Sequence, residues 1–421
     1  MGITRYPVEC PGCRAPILLR LGVGHESRQR FYYVCPKCKA ATKGALLWNG
    51  DARTELELAD GRRLDTDENC VAALSINPEL PSFPETRSMA EFGGSPWITF
   101  TQWLGGDGIQ QYQKSFYQMR HLVDADWAKL ARLTTYYLNR DWPHFDQSIA
   151  DLLPPEALDF SVDWARDDRI SRLYEFFFAS MWGLYPPKHY LELKTSWCAL
   201  WTPARPNFQS LVSFAKSESA TLAFQNAERD TFSQLARFIE LIRGLFPGLL
   251  LDLLPAQHQP HIDELRLFRD EYEVLRDFYI QTFETSHKVL RWVVGTVNAD
   301  SHGDPNKFVA VAGMPPQVTA KVPKNLDAFA KLTSANKREW LAVLPEWHGR
   351  WDDLLDRHLR NDIGHASARH ELSTGMILRD GRAPLPYTRF VQRLHRVLHL
   401  LLANANALKY MRIYSHIERN N

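Results

Sequence analysis

Two short stretches, Cys10-Pro11-Gly12-Cys13 and Cys35-Pro36-Lys37-Cys38, decide how the first part of this chain folds. In each, two thiols on one tight turn can reach the same ion, and Pro and Gly help the turn form. The 21 residues between the pairs suffice for a strand pair that brings the second turn back to the first. Four thiolates match the tetrahedral preference of Zn²⁺, and sites made of four cysteines are typically structural. Cys10, Cys13, Cys35 and Cys38 are therefore the expected ligands of a structural zinc ion. Nothing before them reads as a signal peptide, so paired CxxC reads as metal binding and not as disulfides. His25 lies inside the loop and is expected at the surface, not on the metal. The metal should stabilise residues 1–65, since so short a piece has little core of its own.

Outward from the knuckles, Ile17–Leu21, Arg30–Val34 and Ala45–Trp48 read as short strands between Gly and Pro. Thr54–Leu58 alternates, and Asp60-Gly61 offers a hairpin turn. Residues 1–65 thus read as a small β zinc ribbon. Arg14, Arg20, Arg28, Arg30, Lys37, Lys39 and Lys43 with Phe31, Tyr32 and Tyr33 fit a polyanion-binding face, with a solvated face on a structural knob as the even alternative. Residues 66–110 read as an irregular linker, dense in Pro and Gly around 77–108.

From about 110 the apolar period becomes 3.6. Residues 111–255 read as a helical middle domain. It holds Gln111–Asn139, an aromatic run at 172–185, and a helix marked by Phe224, Phe232, Leu235, Ile239, Ile242 and Leu245 that should stop at Phe246-Pro247-Gly248. Residues 262–421 read as a helical bundle. A long helix is marked by Leu265, Phe268, Tyr272, Leu275, Tyr279 and Phe283, and a polar loop is expected at Gly295–Asn306. Trp351, Leu354, Leu355, Leu359 and Ile363 form one stripe. A hairpin is expected around Asp380-Gly381, followed by a final helix from Phe390 to Met411. The fold class is mainly α, with a small β ribbon at the N-terminus.

Composition bounds the rest. The 421 residues are 45% hydrophobic and 24% charged, which is ordinary globular chain. No run approaches the ~20 apolar residues of a membrane span, and position 6 is Tyr, so the myristoylation pattern fails. A cytoplasmic protein with no membrane partner is expected. Net charge is +1, but its distribution is uneven. Residues 1–50 hold eight Lys/Arg against two Glu, and residues 141–200 hold five basic against ten acidic. There is no phosphate loop, no dinucleotide fingerprint and no nucleophile elbow.

The stretch Leu359-Arg360-Asn361-Asp362-Ile363-Gly364-His365 closes an amphipathic pattern, and a further long helix follows it. It resembles the R-N-x-x-x-H signature of the HEPN superfamily of helical ribonucleases. Spacing alone is unspecific, since Arg20 and His25 repeat it. The weight rests on the adjacent Asn361 and on the helical setting. The resemblance covers about residues 262–421 and implies a HEPN-like bundle that cleaves RNA without a metal. It implies Arg360 and His365 as the catalytic pair and Asn361 as a supporting group. It also implies a homodimer, a role in anti-phage defence, abortive infection or toxin-like growth control, and an antitoxin or phage-derived trigger as partner. The residue types suit that chemistry. His exchanges protons near neutral pH, and Arg is a permanent bidentate cation for a phosphoryl group. Positions i and i+5 lie about 140° apart on an ideal helix, so the helix must distort near Gly364 or Arg360 must reach round. The enzyme reading further requires Arg360 and His365 to face one open groove, neither buried nor salt-bridged away. Arg357, His358, Asp362, Arg369 and His370 read as solvated neighbours, and Asp300, His302 and Asp304 as a polar loop. The rival readings are a zinc-ribbon adaptor without catalysis and a DNA-binding protein, although no helix-turn-helix is evident.

Overall fold

The strand pattern of the first 80 residues resolves into two small sheets. The computed structural model describes residues 2–48, 53–84, 95–150, 187–311, 314–365 and 367–416, with Leu173, Met181 and Leu184. Most of the aromatic run at 172–185 lies outside the described residues. So does the stretch 85–94 of the expected linker.

Strand β1 (Ile3–Glu9) pairs antiparallel with β2 (Pro16–Gly22), Tyr6 opposite Leu19. Strands β3 (Arg28–Val34), β4 (Ala41–Trp48) and β5 (Thr54–Leu58) form an antiparallel sheet, with Phe31 opposite Gly44 and Leu46 opposite Leu56. Strand β6 (Arg62–Arg63) joins the first sheet beside β1, and β7 (Ala72–Ile76) pairs parallel with β2, giving the order β6-β1-β2-β7. Asp60-Gly61 therefore makes no hairpin. The chain leaves one sheet at β5 and enters the other at β6, with Gly61 at φ 105° where side chains are disfavoured. Nor is 66–110 wholly irregular, since it holds β7 and the start of a helix at Pro96.

Alternation puts Tyr6, Val8, Ile17, Leu19 and Leu21 of the first sheet into one core cluster with Phe31, Tyr33 and Leu46 of the second, while Tyr32, on the opposite face of β3, is buried against Phe268. Phe268 completes that core. Residues 265–271, expected at the start of a long helix, are extended instead. Tyr32 N–H donates to the Phe268 carbonyl at 3.0 Å, and Ser82 bridges Arg266. The segment thus supplies a backbone partner for Tyr32 of β3.

The remainder is mainly helical. The longer helices are α1 (Pro96–His121), α2 (Trp127–Asn139), α3 (Trp142–Ala150), α4 (Pro187–Leu200), α5 (Phe208–Ser219), α6 (Leu222–Leu253), α7 (Tyr272–His302), α8 (Pro345–Leu354), α9 (Arg357–Gly364) and α10 (Tyr387–Tyr414). The described residues form two compact units. One comprises Met1–Lys114, Leu241–Arg276 and Asp362–His395; the other comprises Ser115–Glu240, Asp277–Asn361 and Arg396–Asn421. The boundary falls inside α1, α6, α7, α9 and α10.

In the first unit, α6 does not stop at Pro247 but continues to Leu253. Gly248 explains the geometry there. A Cβ at this position would stand 2.6 Å from His395 Cβ and 2.8 Å from the Val391 carbonyl of α10. The expected hairpin near Asp380-Gly381 is present and is joined by a third strand, in the order β10-β9-β8: β8 (Ala368–Glu371), β9 (Met376–Arg379) and β10 (Arg382–Pro386).

The second unit is built on aromatic packing. Trp197, Trp201, Trp340, Trp347 and Trp351 are fully buried. Trp197 and Trp347 lie 5.6 Å apart, and Trp201 stacks on Tyr414 at 4.8 Å. Two local readings change here. The stretch from Gly295 is helical as far as His302, because Val297 and Ala299 are buried and Asp300 is held by Arg205 at 2.8 Å. The stripe from Trp351 to Ile363 is two helices, broken at Leu355-Asp356. Among the described residues no helix is long and apolar enough to cross a membrane.

Candidate functional site

The four knuckle cysteines meet. Their Sγ atoms all lie within 4.8 Å of one another, with Cys10–Cys38 at 3.6 Å and Cys13–Cys35 at 3.7 Å. All six cysteines of the chain are free thiols. A tetrahedron of sulfurs about 2.3 Å from a central zinc has an edge of about 3.8 Å. The observed separations fit that edge, so Cys10, Cys13, Cys35 and Cys38 form a cluster able to hold a metal ion.

The two turns share one hydrogen-bond plan. Arg14 N–H returns to Cys10 O and Cys10 N–H bonds Ala15 O; Lys39 N–H returns to Cys35 O and Cys35 N–H bonds Ala40 O, all at 2.9–3.0 Å. Arg14 and Lys39 both take left-handed φ, 57° and 64°. The repeated pattern Cys-Pro-x-Cys-Arg/Lys-Ala is the sequence signal for this duplication. Gly12 leaves room for the partner turn, since a Cβ there would already touch Cys38 Sγ at 3.4 Å. Burial pushes the Cys35 thiol up to about 12. A backbone hydrogen bond from Ala40 draws exposed Cys38 down to about 7. His25 is not a ligand: its Nδ1 lies 3.1 Å from Glu79.

The aromatic half of the expected polyanion face is absent. Phe31, Tyr32 and Tyr33 are core residues, and Arg20 is buried. Arg28 pairs with Glu57, and Lys43 with Asp270. Arg14, Arg30, Lys37 and Lys39 remain exposed, without an ion pair among the described residues.

Helix α9 begins at an N-cap. Asp356 Oδ1 accepts from the backbone N–H of His358 at 2.8 Å and Leu359 at 3.2 Å. It ends at Gly364, where Ser367 N–H bonds the Asp362 carbonyl at 2.8 Å, the 6→1 bond of a Schellman-type terminus. His365 therefore lies just past the helix, and the turn rather than helical phase sets its direction. Leu359 and Ile363 are buried, while Asn361 and His365 are exposed. Asp362, expected in solvent, is buried and takes Arg379 at 2.7 Å and Arg382 at 3.4 Å.

Arg360 is held by a residue that local sequence does not reveal. Its Nε and Nη2 both donate to Glu284 Oε1 of α7, at 2.9 and 2.5 Å, and its Nη1 points to Asn361 Oδ1 at 3.5 Å. This departs from the expected unpaired arginine. The pair is not buried, with side chains 32% and 43% exposed. One turn further along α7, His287 is buried against Phe283 and Trp351. His370, also expected in solvent, is instead on β8, stacked on Tyr387 at 4.2 Å with its side chain 2% exposed. Among the described residues, the cysteine cluster is the only group of three or more potential ligands that meets. Asp304 commits Oδ1 to the Asn306 N–H.

No protein-family model, curated protein or solved structure matches the chain.

Proposed function

We propose that this chain is a metal-independent endoribonuclease of HEPN type, working in the cytoplasm as a homodimer, with a structural Zn²⁺ held by Cys10, Cys13, Cys35 and Cys38. The ion supplies only tetrahedral cross-linking of two turns. The reading rests chiefly on the exposure pattern of α9. The buried Leu359, Asp362 and Ile363 pin the helix, while Asn361, His365 and part of Arg360 remain at the solvent.

In this reading His365 removes the 2′-hydroxyl proton of the substrate RNA. The 2′-oxygen attacks phosphorus and the 5′-oxygen departs, leaving a 2′,3′-cyclic phosphate. The second copy's imidazolium returns a proton to the departing oxygen, which is why two copies are needed. Arg360 neutralises the phosphorane and Asn361 orients the guanidinium. The Glu284 pair counts against the condition set by the sequence, and the reading requires substrate to displace it; as a half-exposed ion pair it is worth only roughly 0.2–1 kcal/mol. Arg14, Lys37 and Lys39 give the ribbon a positive edge for the RNA backbone. A role in anti-phage defence or growth control, with a trigger or antitoxin as partner, follows from the resemblance alone.

The Glu284–Arg360 pair favours one rival, a zinc-ribbon adaptor without catalysis. Incubation of the full chain with RNA in EDTA separates the two. The nuclease yields 2′,3′-cyclic ends, and a 2′-deoxy nucleotide at the cut position abolishes scission. Intact RNA, or cleavage that survives the 2′-deoxy substitution, leaves the adaptor reading.

A further inference from the structure

The second unit holds a cleft far in sequence from α9. It is formed where α2 meets α3, by the first turns of α6 and by the end of α10. Its floor is a buried carboxylate. Glu228 is 3% exposed, accepts from the Tyr137 hydroxyl at 3.0 Å and is forked by Arg412. That carboxylate accepts from both partners, and the charge of Arg140 acts on it as well. Two further guanidinium groups stand at the rim, on Arg140 and Arg229; both are exposed and neither has an ion pair among the described residues. Three arginines against one glutamate leave the lining at 3 − 1 = +2. The N-terminal turns of a 32-residue helix add positive potential at the same place.

The cleft also offers a ring surface and hydrogen-bonding edges. Trp142 lines it, half-buried and fixed edge-on against Tyr137 at 6.2 Å and Phe145 at 6.0 Å. Asn226, an exposed residue, lines the same cleft. Arg140 reaches the rim because it caps α2 in the left-handed conformation, φ 58°, with its backbone N–H on Tyr136 and Tyr137 carbonyls. Glycine is the usual residue there, so an arginine at that position is not explained by backbone preference.

We propose that this cleft binds a nucleoside monophosphate, its phosphoryl group on Arg140 and Arg229 and its base against Trp142. Phosphoryl recognition suits paired guanidinium forks, base stacking suits an anchored indole, and the Asn226 amide can read a base edge. The inference stands apart from the α9 chemistry and survives its failure.

The test is isothermal calorimetry on the full, metal-loaded chain with AMP, GMP, CMP and UMP, and separately with inorganic phosphate. At least one nucleotide should bind tenfold or more tighter than phosphate, a ratio of about 1.4 kcal/mol. Arg140→Ala and Arg229→Ala should each weaken that nucleotide about tenfold, with circular dichroism unchanged because both side chains are exposed. Trp142→Leu should remove the advantage of nucleotide over phosphate. Absence of nucleotide binding at millimolar concentration overturns the proposal. So does phosphate binding as tightly as every nucleotide, or binding indifferent to both arginine variants.

Discussion

His287 makes the second unit sensitive to acid, and the effect can be worked from its surroundings. The ring is 5% exposed, its Nδ1 lies 2.8 Å from the Phe283 carbonyl oxygen, and it stacks on Phe283 at 4.2 Å with Trp351 edge-on at 5.0 Å. Burial chiefly pulls its pKa from 6.5 down to about 4, assisted by Lys337 and Arg338 and opposed by the Phe283 bond and Glu284. The folded state therefore favours neutral imidazole. That stabilisation is complete above the unfolded pKa of 6.5 and is lost as pH falls towards 4. A depression of this size amounts to roughly 3 kcal/mol in full, most of it lost by pH 4.5. His287→Phe keeps a ring of similar size and cannot titrate. It forfeits the bond to Phe283, worth about 1 kcal/mol at any pH. Urea denaturation should therefore find the variant about 1 kcal/mol less stable than wild type at pH 7.5 and roughly 1–2 kcal/mol more stable at pH 4.5. Loss of metal in acid affects both proteins alike and cancels. An identical difference at the two pH values would refute the argument.

Three further outcomes follow from particular contacts. Gly248→Ala should destabilise the first unit by up to about 2 kcal/mol, because overpacking against rigid α10 atoms costs about 1–3 kcal/mol and helix propensity returns only about 1; a gain in melting temperature contradicts this. Cys13→Ser should lower the metal content found by elemental analysis, while the 14-residue core around Tyr32 and Leu19 keeps the strands folded; undiminished metal content dissociates Cys13 from the cluster. Glu284→Gln should tighten RNA binding up to about fivefold in fluorescence anisotropy, the upper worth of an exposed ion pair. Weaker binding would make Glu284 a positioning residue instead of a competitor.

Features set by neighbours in sequence were the readable ones. The knuckles, the ribbon strands, the hairpin at Gly381 and the last helix all show in local spacing. Misreadings cluster where a distant segment decides. Leu265 and Phe268 have helical spacing, yet distant backbone holds this segment instead, Tyr32 of β3 bonding Phe268 and Ser82 bridging Arg266. Pro247-Gly248 reads as a stop, yet α6 runs on because Gly248 lets α10 approach closely. Tyr32 and Tyr33 sit among basic residues as a stacking face would, but the second sheet turns them inward. In the candidate site, Glu284, 76 positions away from Arg360, was not legible from local sequence. Residues 1–65 also share a core with Leu74, Ile76 and Phe268, which their own local spacing does not show.

The most direct test of the central claim is the rate of RNA cleavage by purified protein in EDTA, for wild type beside Arg360→Ala and His365→Ala, with metal content checked in each. Both side chains are at least partly exposed, so both variants should fold. The account predicts cleavage by wild type and its loss in both variants. Equal cleavage by all three proteins would contradict it.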